Sequence, residues 1–288
     1  MPGHAGPTTE GRDRTVTPPV FMYHSISPST APDPHALRVH PDRLARHLRL
    51  LSRLGLRGVP LGELLRAQEQ GRARGLVGLT FDDGYTDFLD HAVPLLERYG
   101  MAGTLYVVAG RLGGVNEWDD GPRLPIVDAD QVRAVAAAGH EVGSHTMTHP
   151  RLAGAEPGAL AAEVGESRRV LEDVLQAEVP GFCYPYGSYD DAAAEAVRAA
   201  GYDHACVTGD YEPGDRFTLP RCYVSPGDTT VHVVARMVRH SVRVRRPLPG
   251  RGHPLVRVSA HVPAARTRPR TGAGAGRRRF RARRAGAR

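Results

Sequence analysis

Two short stretches hold side chains whose types and spacing could do chemistry. In Leu79-Thr80-Phe81-Asp82-Asp83-Gly84-Tyr85, adjacent carboxylates follow an apolar run and precede a glycine. In Ser144-His145-Thr146-Met147-Thr148-His149-Pro150, two imidazoles stand four positions apart. Histidines so spaced face one way on a helical turn, and one carboxylate from elsewhere completes a His₂-carboxylate set with a position open for water or substrate. The other carboxylate is then free to move a proton. Each stretch alone has an ordinary explanation. Asp-Asp-Gly can cap a helix by accepting backbone N–H bonds, and two histidines can be polar loop residues. Their joint occurrence, each after a strand-like run, favours a shared metal site over either ordinary explanation.

The elements around them must deliver these groups to one place. Val20-Phe21-Met22-Tyr23 reads as a buried strand ending at His24, and Gly75 to Phe81 as another that ends at the two acids. Pro41 suits a first helical turn, with Leu44, Leu48, Leu51 and Leu54 at helical spacing up to Gly55. Further strands are expected at 58–60, 102–108, 141–143, 181–184, 204–207 and, last, Phe217 to Arg221. Helices are expected at 61–70, 88–99, 128–138, 157–175 and from Asp190 to Gly201. Such alternation implies a parallel sheet with right-handed crossovers, and the motifs fall where strands end and helices begin, the chemical face of barrels. Gly110 to Pro125 is an irregular loop with the only tryptophan, Trp118, which could stack on a sugar ring or merely cap an apolar edge.

Thr80-Phe81-Asp82-Asp83-Gly84 resembles the first motif of the polysaccharide deacetylases, also called the NodB-homology domain or carbohydrate esterase family 4. Ser144 to His149 resembles the second motif. Phe182-Cys183-Tyr184-Pro185-Tyr186-Gly187 is similar to the third, with Cys183 where the family usually has an arginine that orients the base carboxylate. The resemblance runs from about Val20 to about Val224. It implies a distorted (β/α) barrel of about seven parallel strands, and removal of N-linked acetyl groups from amino sugars of a glycan. It also implies a divalent cation, zinc first with cobalt or nickel as alternatives, held by Asp83, His145 and His149. By the same resemblance Asp82 is the general base and the Tyr186 N–H stabilises the oxyanion.

The acid that protonates the leaving amine is often a histidine in a Leu-x-His pattern near the domain's C-terminus, which this chain lacks. His24, at the end of the first strand, is the better candidate over His232 and His240. Arg221 is the candidate to replace the arginine absent at Cys183. Two other readings stay open: a catalytically silent carbohydrate-binding barrel, and a zinc amidase acting on a non-sugar acyl amide.

Composition sets the outer limits. The chain has 288 residues, 41% of them hydrophobic, with no apolar run long enough to span a membrane. Its charge of +7 is uneven: no acid follows Asp228, while 17 arginines lie from Arg236 onward, so removing them leaves residues 1–228 at −10. The basic residues are all arginine, which fits coding bias better than phosphate recognition, and no specific nucleic-acid partner is expected. Cys183, Cys206 and Cys222 form no Cys-x-x-Cys pattern, against a disulfide framework. Residues 1–19 are expected to be disordered and hold no signal-peptide core, which points to the cytoplasm although the family often works outside it. The domain is expected over 20–241, followed by a disordered Arg/Pro/Gly/Ala-rich tail over 242–288.

Overall fold

The computed structural model describes residues 18–208 and 215–245. Ten strands occur among them: β1 (Val20–Tyr23), β2 (Ser25–Ile26), β3 (Arg38–Val39), β4 (Arg57–Val59), β5 (Leu76–Phe81), β6 (Thr104–Val107), β7 (Glu141–Ser144), β8 (Gly181–Cys183), β9 (His204–Cys206) and β10 (Cys222–Tyr223). The helices are α1 (Pro41–Arg53), α2 (Leu61–Glu69), α3 (Val93–Arg98), α4 (Ala129–Ala137), α5 (Pro157–Leu160), α6 (Ser167–Leu175), α7 (Asp191–Ala199) and α8 (Thr230–Arg245).

Seven parallel strands curve in the order β10-β1-β5-β6-β7-β8-β9, with β4 on the early part of β5. This is the expected distorted (β/α) barrel. Its wrapping is completed by the chain before β10: Leu219 bonds to Ala205 and Val207 beside β9, and Cys222 pairs with Phe21 of β1. The last strand is therefore Cys222–Tyr223 rather than Phe217 to Arg221. In the expected segment Leu219 forms a single bridge to Cys206, and the ladder to β1 starts only after Arg221.

Local signals explain the helices nearest the site. Asp128 caps α4 and forms a reciprocal capping box with Gln131, while Asp190 caps α7 through Ala193 N–H. Leu44, Leu48 and Leu51 of α1 are buried, whereas Leu54 lies beyond the helix and is half exposed. These leucines share a core with Val77, Leu79, Phe81 and Phe88. Alternate residues of β5 thus face the helices, which turns Thr80 and Asp82 to the opposite face, toward the barrel interior. That interior holds Tyr106, Cys183, Cys206 and the fully buried Arg221.

Helix α8 runs to Arg245, so the expected domain end at 241 falls inside a helix. The disorder expected for residues 1–17 and 246–288 lies outside the described residues. No helix among the described residues is long and apolar enough to cross a membrane.

Candidate active site

The two acids leave β5 in different ways. Asp82 continues the inward face of the strand, but Asp83 has φ 74° and Gly84 φ 75°, so the chain turns sharply and returns the second carboxylate to the same side. Gly84 is required twice over, since a Cβ there would also lie 3.2 Å from the Val107 backbone.

The histidines arrive on a loop. β7 ends at Ser144, and residues 145–150 are not helical, which corrects the expected helical turn. Left-handed conformations at Thr146 (φ 70°) and His149 (φ 67°) bring the two rings together instead. Four of the six non-glycine residues with positive φ among those described, Asp83, Thr146, His149 and Tyr186, lie at this site. Such conformations persist only where surrounding structure enforces them.

Asp83 Oδ1 lies 3.5 Å from His145 Nε2 and 3.4 Å from His149 Nε2, with all three side chains buried. A tetrahedral cation about 2.1 Å from each donor would separate the donors by about 3.4 Å, so the spacing fits. His145 Nδ1 lies 2.8 Å from the Cys183 carbonyl, an acceptor, so that nitrogen carries the proton and Nε2 faces Asp83. Burial raises the Asp83 carboxyl, but hydrogen bonds from both histidines outweigh it and hold it well below the usual range. Burial lowers His149 on balance, whereas for His145 the hydrogen bond and charge of the acids prevail and raise it.

Asp82 is held apart from this group. Arg221 donates from Nη1 to Oδ1 and from Nη2 to Oδ2, both at 2.7 Å. The same guanidinium bonds Thr80 Oγ1 at 2.9 Å, the Val207 carbonyl at 3.2 Å and Cys183 Sγ at 3.0 Å. Burial raises Asp82, but the charge and paired bonds of Arg221 outweigh it and leave the carboxyl below its ordinary value. Cys183 cannot supply that positive charge, because a thiol is neutral when protonated and an anion when not; burial pushes this one well up and so favours the neutral form. Arg221 enters from the segment before β10, and its guanidinium meets Asp82 beside the Cys183 thiol of β8. Asp82, His145 and Cys183 also lie close enough to share an ion. The Arg221 fork already occupies both Asp82 oxygens there, so a cation would meet fixed positive charge.

The remaining candidates separate into two groups. His24 Nε2 lies 4.0 Å from Asp82 Oδ2, and its buried Nδ1 has no hydrogen-bond partner among the described residues. Tyr186 takes φ 57° in the turn Pro185–Gly187 and stands edge-on to His149 with ring centroids 4.7 Å apart. His232 does not join them: it bonds back to Thr229 at the start of α8, and His240 lies further along that helix.

The irregular loop contributes more than its composition suggested. Trp118 stacks on His149 at 4.5 Å, so one indole face is taken by a candidate ligand. Its neighbour Asp119 accepts the Tyr186 hydroxyl at 2.9 Å, and Arg151 lies 4.3 Å over the Tyr186 ring. Sequence reasoning missed Asp119 and Arg151; the Asp beside the only tryptophan in a structureless loop was the available signal.

Comparison with known proteins bears on the family and the fold. Residues 69–205 match the family model described as polysaccharide deacetylase. YxkH of Bacillus subtilis (strain 168), which carries a polysaccharide deacetylase name, is 29% identical over 217 residues, covering 73% of this chain and 72% of YxkH. The chitooligosaccharide deacetylase of Bradyrhizobium sp. (strain ANU 289) is 31% identical over 126 residues, 43% of this chain and 52% of that protein. Among solved structures, Streptococcus pyogenes deacetylase PplD in complex with acetate superposes with a TM-score of 0.66 at 24% identity, covering 77% of this chain and 99% of PplD. IcaB from Ammonifex degensii gives 0.65 at 24% identity over 76% and 96%. At such identities the structural likeness speaks for the fold.

Proposed function

We propose, from the match of residues 69–205 to the polysaccharide deacetylase model and the likeness to YxkH, that the chain is a member of that family and hydrolyses N-acetyl groups of amino sugars in a glycan, using a divalent cation held by Asp83, His145 and His149. Zinc suits the two-imidazole, one-carboxylate donor set, and cobalt or nickel would be accepted by the same ligands. When bound, such a cation supplies Lewis acidity that polarises the acetamide carbonyl and acidifies water.

The chain's own residues divide the remaining work. Asp82, ionised and fixed by Arg221, accepts the proton of the attacking water. Its orientation costs nothing at the moment of reaction, because the guanidinium fork has already set both oxygens. The Tyr186 N–H serves as a donor to the oxyanion that develops on the acetyl carbonyl. His24, across from Asp82, gives a proton to the departing amine. Trp118 and Tyr186 wall the cluster and restrict water around it.

The observation that carries this reading is the division of labour between the neighbouring acids. Asp83 shares its oxygen with two imidazoles, while Asp82 is reserved by an arginine and faces a histidine. A silent sugar-binding barrel would have no use for the second arrangement. The test is acetate release from chitin oligomers, acetylated peptidoglycan fragments and poly-N-acetylglucosamine, with and without chelator. Release from at least one substrate, abolished by chelation and restored by zinc or cobalt, is expected. Chelator-insensitive release, or none from any of them, would count against the proposal.

The role of His24 has its own test. His24→Gln is expected to lower kcat on an N-acetylated sugar by about 10²-fold, the scale of general acid catalysis. Hydrolysis of 4-nitrophenyl acetate, whose leaving group needs no proton, should change little. Equal losses on both substrates would remove His24 from the acid role.

A further inference from the structure

One carboxylate outside the cluster clasps the loop that carries both histidines. Glu163 lies in the π-helical turn Ala161–Glu166, between α5 and α6. Its Oε2 accepts the backbone N–H groups of Met147 and Thr148, each at 2.9 Å, and its Oε1 accepts the Thr148 hydroxyl at 2.6 Å. Those groups belong to the span between His145 and His149. The opposite edge of the same span is tied down as well, since the carbonyls of Thr146 and Met147 accept from Ala109 and Gly110 at 2.9 Å each.

The clasp matters because the loop has no ladder of its own. Thr146 and His149 both sit in left-handed backbone, and two unsatisfied N–H groups between them would favour relaxation toward ordinary conformations. Any such relaxation changes the separation of the two imidazoles, which is the quantity a cation reads. Among the described residues Glu163 makes no ion pair, so its charge is directed at the loop. The neighbouring positions Leu160, Val164 and Ser167 are buried, which anchors the turn in the core. A π-helical turn is a costly local geometry and is commonly found beside functional sites; here it carries the residue that holds the ligand loop.

We infer that Glu163 is a positioning residue that sets the His145–His149 geometry for cation binding. The inference rests on the proposed cation site. It is tested by titrating chelator-stripped wild type, Glu163→Ala and Glu163→Gln with Co²⁺, reading affinity and visible absorption, alongside the thermal midpoint of each metal-free protein. Loss of outer partners of metal ligands typically weakens binding by about 10–100-fold, and that loss is expected for Glu163→Ala. Glu163→Gln keeps one acceptor oxygen, so it should fall between the two, with a midpoint close to wild type and an altered Co²⁺ spectrum. Wild-type affinity and spectrum in either folded variant would overturn the inference. Failure of the wild type itself to bind Co²⁺ would instead remove the cation site on which it rests.

Discussion

Asp82→Asn is expected to lower kcat by about 10³-fold, within the range general base catalysis supplies, while the protein still takes up one cation. The substitution is nearly isosteric and keeps an oxygen for one arm of the Arg221 fork. It removes the negative charge and with it the capacity to accept a proton. Cation uptake should persist because Asp83, His145 and His149 form their own cluster without Asp82. Acetate release under saturating substrate, measured beside metal content, separates the two effects. A variant that keeps more than about a tenth of wild-type turnover would mean that Asp82 is not the base.

Arg221→Ala should do comparable damage by another route. Arg221 is fully buried and makes contacts with Asp82, Thr80, Val207 and Cys183. Removing it leaves the Asp82 carboxylate buried beside the Cys183 thiol, 3.6 Å away, and the His24 and His145 imidazoles, neither of which replaces the paired bonds of the guanidinium. Breaking a buried pair in this way costs about 3–5 kcal/mol of stability. The unpaired acid would also tend to hold a proton, because the influence that now outweighs its burial is gone. Turnover is therefore expected to fall by about 10²-fold or more, with metal content unchanged. Arg221→Lys restores a charge but cannot reproduce the fork, and should recover only part of the activity. Loss of metal in Arg221→Ala, or normal turnover, would refute the assignment.

Much of the fold was legible because strands and helices alternate with clear punctuation. The apolar run before Asp82, the capping acids Asp128 and Asp190, and the glycine after α3 all mark real boundaries. Legibility failed where tertiary pairing decides the outcome. Phe217 to Arg221 has the pattern of a strand, yet which residues pair with β1 depends on how the barrel closes, and that begins at Cys222. The site shows the same division. The spacing of His145 and His149 led to the expectation that both rings face one place, which they do beside Asp83, but the helical reason for it is replaced by a left-handed loop.

Arg221 was found only because Cys183 left a charge unaccounted for in the third motif. Its own surroundings in sequence give no hint of burial. Glu163 was not found at all, since an acid on an amphipathic helix looks like any solvated charge until the π-helical turn and its three loop contacts are seen. Trp118 was noticed for its ring, while its stacking on His149 depends on where a long loop folds back.

The most direct test is an equilibrium titration of the chelator-stripped protein with Zn²⁺, repeated for Asp83→Ala and His149→Ala. One tight equivalent in the wild type, lost in both variants, is the expected result. No tight binding in the wild type, or binding that survives both substitutions, would contradict the proposal that these residues form a catalytic cation site.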